Sequence, residues 1–143
     1  DVAVRFSKCC NPVPGDEIVG FVTRGRGMSI HRTDCVNVIN LSAAERSRLI
    51  TAEWEDPGDT EEGGQYLAEL KLYADDRRGL LLDITKVFTE EKIDVKSMNT
   101  RTSKKGTATM DMGFIVHGRE ELNRVIKKLR QIENVIDIER TTG

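Results

Sequence analysis

Four side chains in the first quarter of the sequence have the right chemistry to act together: Cys9, Cys10, His31 and Cys35. Thiolate sulfur and imidazole nitrogen are the donors a tetrahedral zinc ion takes. In His31-Arg32-Thr33-Asp34-Cys35 the two donors stand at i and i+4, so one helical turn would aim both at a single ion. Cys9 and Cys10 are less favourable, because successive side chains of an extended segment point apart. They share an ion only if the backbone turns sharply, as Asn11-Pro12-Val13-Pro14-Gly15 would allow. The CC…HxxxC spacing also departs from the CxxC pairs of familiar zinc sites. Small thiols buried in a compact module are therefore the preferred reading, since Cys is among the most buried residue types. No cofactor is demanded, and zinc is the metal the set would take. A Cys–His nucleophile is a weaker reading, because no acidic or amide group is identifiable to orient the histidine. Nor do three cysteines make a paired disulfide framework. Adjacent Cα atoms lie about 3.8 Å apart, short of the roughly 4.4–6.8 Å a disulfide spans, so a Cys9–Cys10 bridge is disfavoured. This usage fits a reducing, cytoplasmic compartment.

Two further groups could hold ligands. In Asp75-Asp76-Arg77-Arg78-Gly79-Leu80-Leu81 a strand runs into a helix, and the N–H groups at a helix start form an anion site that Gly79 leaves open to close approach. The candidate set is Asp76, Arg77, Gly79, Leu80 and Leu81, with Val95 and Met98 expected across from the loop. Asp76 would attract an ammonium group, and the apolar members would suit a branched-chain amino acid as effector. A capped helix with a packing glycine explains the same residues equally well. Arg24-Gly25-Arg26-Gly27 lacks the GxxxxGK[ST] frame of a phosphate loop and reads as a basic hairpin tip. With Arg32, the arginines Arg24 and Arg26 could hold RNA phosphates. Recognition of RNA bases on a sheet would need strand aromatics, and Thr107 to Val116 offers only Phe114.

The elements that must position these groups divide in two. Trp54 to Gly64 contains one Pro, three Gly and most of an acidic run (Glu53, Glu55, Asp56, Asp59, Glu61, Glu62), too polar to bury a core. It separates a module over 1–54 from one over 65–143, with 55–64 as the linker. Set that run aside and basic residues outnumber acidic ones, although the whole chain carries a net charge of -2. With 38% hydrophobic and 32% charged residues, no stretch approaches the ~18 apolar residues of a membrane span. The chain opens at Asp1 without a methionine, a basic n-region or an apolar h-region, which reads as part of a longer protein with no secretory signal.

In the second module, Tyr66, Ala68, Leu70, Leu72 and Ala74 alternate as a half-buried strand does. Leu80, Leu81, Ile84, Val87 and Phe88 then fall at helical spacing, with Asp75 or Asp76 as the expected N-cap and an end near Lys92. Ile93 to Arg101 reads as a strand, Lys104-Lys105-Gly106 as a turn, and Ala108, Met110, Met112, Phe114 and Val116 as the inward residues of the partner strand. Leu122, Val125, Ile126, Leu129 and Ile132 mark a second helix, and Val135 to Glu139 a last strand with Ile136 and Ile138 inward. Strand, helix, strand, strand, helix, strand is the ferredoxin-like βαββαβ order, an α+β fold with both helices on one face of an antiparallel sheet. Its unpaired edges invite a homodimer. The first module reads as a smaller α+β unit. It has a hairpin from Ile18 through Gly25 to Ile30, a capping box at Ser42-Ala43-Ala44-Glu45, and a strand over Leu49 to Trp54.

Read together, Cys9-Cys10-Asn11-Pro12-Val13-Pro14-Gly15-Asp16, Ile18-Val19-Gly20, Gly25-Arg26-Gly27 and His31-Arg32-Thr33-Asp34-Cys35 resemble the conserved-cysteine, zinc-finger-like module of long RelA/SpoT proteins. These are the bacterial stringent-response synthetases and hydrolases of guanosine tetra- and pentaphosphate. The resemblance covers essentially the whole chain, because in that family an ACT domain follows the module. It implies that the hydrolase, synthetase and TGS domains lie upstream and that this region is regulatory rather than enzymatic. It further implies docking on the ribosome beside large-subunit RNA, self-association, and control of the two opposed activities. The ACT loop of the family commonly reads D-R-P-G-L-L; here Arg78 replaces the proline.

Overall fold

The computed structural model describes residues 4–25, 27–54 and 64–141. In the first module, β1 (Val4–Phe6), β2 (Ile18–Thr23), β3 (Gly27–Arg32) and β4 (Leu49–Thr51) form a sheet in the order β1-β3-β2-β4. The β2–β3 hairpin closes through Gly25 and Gly27, both at positive φ (75° and 82°), the conformation that glycine adopts without steric penalty. Parallel pairing of β1 with β3 was not legible in the sequence, because a three-residue strand shows no periodicity. Two single-turn helices, α1 (Val36–Ile39) and α2 (Ala43–Arg46), connect β3 to β4. The second carries the expected capping box: Ser42 Oγ accepts from the Glu45 N–H at 3.2 Å, and Glu45 Oε1 accepts from the Ser42 N–H at 3.1 Å. Val19 and Leu49 pack against buried Cys10, Cys35 and Val38.

The second module runs β5 (Tyr66–Asp75), α3 (Leu80–Glu90), β6 (Val95–Thr102), β7 (Thr107–Val116), α4 (Arg119–Arg130) and β8 (Val135–Arg140). Its sheet is antiparallel throughout, in the order β6-β7-β5-β8, as the ferredoxin-like reading requires. Ala68, Leu70, Leu72 and Ala74 of β5 and Ala108, Met110, Met112, Phe114 and Val116 of β7 are all buried. They pack against Leu80, Ile84 and Phe88 of α3 and Leu122, Val125 and Leu129 of α4. Each large side chain buried this way contributes about 1.5–3 kcal/mol.

Two details depart from expectation. The N-cap of α3 is Gly79 in the left-handed region, not Asp75 or Asp76, because β5 extends through Asp75 and Asp76 donates its N–H to the Gly106 carbonyl at 2.8 Å. The same helix ends at Glu90 and Lys92 at φ 57° turns the chain back, in line with the expected end near Lys92. Ile136 is 62% exposed although Ile138 is buried. The β5–β8 register steps from Ala74↔Val135 to Tyr73↔Asp137, so a bulge at Ile136 breaks the alternation and turns that side chain outward.

The two modules touch. Val13, from the loop between β1 and β2, is fully buried within the core of the second module. Phe6 stacks on Trp54 at 5.4 Å, and both rings meet Tyr66 edge-on at 5.8 and 5.7 Å, so aromatic packing joins the two sides of the acidic segment. Residues 55–63 of that segment lie outside the described residues.

Glu91, at the C-cap of α3, ties the two helices together. Its carboxylate accepts from Lys128 Nζ and Arg124 Nε, each at 3.1 Å, and chiefly the Lys128 bond holds its pKa below the ordinary carboxylate value. A carboxyl whose pKa is lower in the folded than in the unfolded chain stabilises the fold above the unfolded pKa, and the contribution is lost as pH falls through the folded one. Glu91→Gln should cost about 0.5–1 kcal/mol at pH 7 in denaturant unfolding. The two proteins should converge in stability as the pH falls below the ordinary glutamate range.

Candidate metal centre

Backbone turns assemble the cysteine–histidine cluster. After β1, Ser7 donates its N–H to the Ile30 carbonyl at 2.9 Å and its own carbonyl accepts the Asn11 N–H at 3.0 Å, which closes a turn over residues 8–10. Asn11 leaves that turn at φ 47°. The objection to adjacent cysteines therefore falls, since residues within a turn can present both sulfurs to one centre. His31 lies on β3, and Cys35 is the N-cap residue of α1. The HxxxC spacing is thus a strand followed by a turn at Thr33 and Asp34, not the expected helical turn.

One donor atom from each of the four side chains lies within 4.8 Å of all the others. Cys9 Sγ is 3.4 Å from Cys35 Sγ, 3.4 Å from His31 Nδ1 and 4.0 Å from Cys10 Sγ, and Cys10 Sγ is 3.9 Å from His31 Nδ1. A tetrahedron with zinc–sulfur bonds of about 2.3 Å and zinc–nitrogen bonds of about 2.0–2.1 Å has edges of about 3.8 Å between sulfurs and about 3.5 Å between sulfur and nitrogen. The observed separations bracket these edges, so the donor set fits a tetrahedral ion and could hold one. Ser29, two residues before His31 and on the same strand face, sits 3.0 Å from His31 Nε2. Engaging Nε2 leaves Nδ1 for the centre, as outer partners of metal-binding histidines do. Ser29 is not among the donors that stand out in the sequence, although S-x-H in a strand places its hydroxyl on the histidine side.

Burial and hydrogen bonding set the protonation of the four donors in opposite directions. Burial pushes the Cys10 thiol up to about 12, against the Arg32 N–H that its sulfur accepts at 3.3 Å. Cys35 is also raised, by burial and then by its bond to Cys9. Cys9 moves the other way: burial raises it, but hydrogen bonds from Ser7, Asn37, Cys35 and Cys10 together outweigh that penalty. Burial lowers the pKa of His31 and so keeps the imidazole neutral, the form that binds metals.

The other candidate groups do not assemble as expected. In the loop before α3, Arg77 is pinned by Asp83 at 2.7 Å and by the Glu133 carbonyl at 3.2 and 3.3 Å, and Leu80 is a core residue, while Asp76, Gly79 and Leu81 are exposed. Val95 and Met98 are not across from that loop. Through β7 they align with Ala68 and Leu70, seven and five residues along β5 from Asp75. At ~3.4 Å per residue, this puts them ~24 and ~17 Å away along the sheet. Of the RNA set, Arg24 is exposed in the hairpin turn and Arg26 lies outside the described residues. Arg32 is unavailable to RNA, because its side chain is only 3% exposed and pairs with both Asp34 oxygens at 2.9 and 3.2 Å. Among the described residues no helix is long and apolar enough to cross a membrane.

A βαββαβ sheet carrying a docked module with a four-donor centre defines the class as a ferredoxin-like α+β domain joined to a small cysteine module. Residues 62–140 match the ACT domain family and residues 1–55 match the RelA/SpoT RIS domain, and the chain belongs to the RelA/SpoT family as its C-terminal regulatory region. It is 41% identical over 140 residues to a GTP pyrophosphokinase of Escherichia coli (strain K12), covering 97% of this chain and 18% of that protein. A GTP pyrophosphokinase of Streptomyces coelicolor is 39% identical over 143 residues, covering 100% of this chain and 16% of the relative. The chain thus spans less than a fifth of the length of these relatives. Among solved structures, the ACT domain from a GTP pyrophosphokinase of Chlorobium tepidum is 23% identical with a TM-score of 0.49, covering 54% of this chain and 99% of that one.

The contrast between Arg24 and Arg32 is directly testable. Arg32→Ala should lower the stability of the chain by about 1–3 kcal/mol, because it removes a buried stem and its paired head. Arg24→Ala should stay within about 0.5 kcal/mol of the parent in the same thermal melts.

Proposed function

We propose that this chain is the regulatory region of a cytoplasmic stringent-response (p)ppGpp synthetase/hydrolase, in which a zinc-held cysteine module and an ACT domain relay signals to catalytic domains of the same protein. The observation that carries the zinc reading is the convergence of Cys9, Cys10, His31 Nδ1 and Cys35 within 4.8 Å. Bound zinc would supply the positive charge that ionises buried thiols. Four protein donors leave no open position, so the centre would be structural rather than catalytic. Cys9 and Cys10 would tie the turn after β1 to the end of β3 and the start of α1, while Ser29 holds the imidazole in orientation.

Docking on ribosomal RNA is supported by the exposed Arg24 at the hairpin tip, and Arg32 contributes by holding the turn that carries Cys35 rather than by touching phosphate. Self-association of the ACT domain is supported by its open edges, β6 and β8, and by exposed Ile136 on the latter. A branched-chain amino acid as effector is supported by exposed Asp76, Gly79 and Leu81 beside the start of α3.

Metal analysis of the purified chain should give about one zinc per chain. Cys35→Ser should lose it, whereas sub-stoichiometric metal in the parent chain would return the cluster to buried thiols. Arg24→Glu in the ribosome-binding parent protein should weaken co-sedimentation with ribosomes and lower the slope of log affinity against log salt by about one. An unchanged slope would remove Arg24 from the interface.

A further inference from the structure

We infer that the metal centre and the ACT core are thermodynamically coupled through the loop Asn11–Asp16, so that filling the centre tightens the ACT domain and loosening the ACT end of the loop weakens metal binding. This rests on the zinc reading above and extends it to the neighbouring domain.

The loop leaves the centre at Cys10 with no slack. Asn11, the next residue, donates its side-chain N–H to Glu69 of β5 at 2.7 Å, and its carbonyl accepts from Arg140 of β8 at 3.2 Å. Pro12 fixes one φ angle, and Val13 enters the ACT core with no exposed surface. The Pro14 carbonyl accepts the Arg119 N–H at 2.7 Å, satisfying a donor that the first turn of α4 would otherwise leave open. Gly15 is at φ 103°, and a Cβ there would stand 2.7 Å from Arg119 Cβ, so only glycine allows this approach. Asp16 closes the loop: its carboxylate accepts the Val13 N–H at 2.8 Å and is clasped by Arg140 at 2.7 and 3.0 Å.

A six-residue loop bound to the other domain at five of its positions, with prolines at Pro12 and Pro14, transmits a displacement at one end instead of absorbing it. The turn that presents Cys9 and Cys10 is the element with two states. With a cation, four donors would fix the sulfurs; without one, weak sulfur hydrogen bonds supplement the two backbone bonds of Ser7 and Asn11 that close the turn. Coupling free energies are reciprocal, so the same linkage must be visible from the ACT side as a change in metal affinity. An event at the cysteine module would thereby reach β5, α4 and β8 without any change in the acidic segment.

The test uses the whole chain and measures zinc affinity by competition with a chromophoric chelator. Arg140→Gln, in the last ACT strand and not a donor to the centre, should weaken zinc binding about fivefold or more. Glu69→Gln removes the charged acceptor for Asn11 with less risk to folding and should weaken it in the same direction. Lys128→Gln, on α4 and away from the loop, should leave zinc affinity unchanged. In hydrogen exchange, chelating zinc from the parent should speed exchange in 66–75 as well as in 8–16. Unchanged affinity in both Arg140→Gln and Glu69→Gln, with one zinc still bound per parent chain, overturns the coupling and leaves the zinc reading standing. Equal weakening by Lys128→Gln also overturns it, by exposing a general loss of stability. A parent chain that takes up no zinc overturns both.

Discussion

Asp16 places a carboxylate that is 5% exposed between two modules, and a charge in that position is tolerated only when it is paired and hydrogen-bonded. Arg140 supplies both, with two nitrogens on the two carboxylate oxygens, and the Val13 N–H adds a third donor. The pair is not free of cost: Arg140 Nε is buried without a partner among the described residues. Buried ion pairs of this kind add little net stability over an apolar contact, yet removing one partner is expensive, so they act best as registry devices. Here the register is that of the loop. With Asp16 clasped, Val13 is held in the ACT core, Pro14 caps α4, and Asn11 sets out from Cys10 in one direction only.

The same logic of desolvation governs the cysteine cluster at the other end of the loop. Burial alone would keep all three thiols protonated, and only Cys9 collects enough hydrogen bonds to reverse that tendency. A neutral imidazole adds a lone pair and no charge. Three sulfurs and a nitrogen converge, most of them pushed toward their neutral forms, and the protein meets them only with weak sulfur hydrogen bonds and one backbone N–H. A divalent cation would use their donor capacity, whereas a catalytic thiol would need a base, and burial leaves His31 a poorer one than an exposed imidazole.

What could be read in advance was what local periodicity encodes. The alternation of Ala68 to Ala74 and of Ala108 to Val116, the helical stripes, the Ser42 capping box and the βαββαβ order all stand in the structure. The failures share a cause, which is that long-range geometry overrode the local pattern. A one-residue bulge turned Ile136 outward while its i+2 neighbour stayed buried. Strand register, invisible in sequence, carried Val95 and Met98 to the far part of the sheet from the Asp76 loop. Arg32 looked like a surface cation because arginine usually is one, but it is buried and paired with Asp34. Val13, a lone apolar residue between two prolines, carried no signal that it belongs to the core of a different module.

The first module is too small to be indifferent to its neighbours. Among the described residues, its own buried apolar cluster is Cys10, Cys35 and Val38, two of which are candidate donors, with Ile30 buried outside that cluster. Domains of roughly 50 residues bury a small share of their surface and commonly rely on a metal, a disulfide or a partner. Both supports are built into one stretch of chain here: Cys9 and Cys10 face the centre, and Asn11 to Asp16 face the ACT domain. A module stabilised from two sides through the same eight residues cannot change its state at one side without strain at the other. That is the physical requirement for a relay, and it asks for no catalytic group in either half.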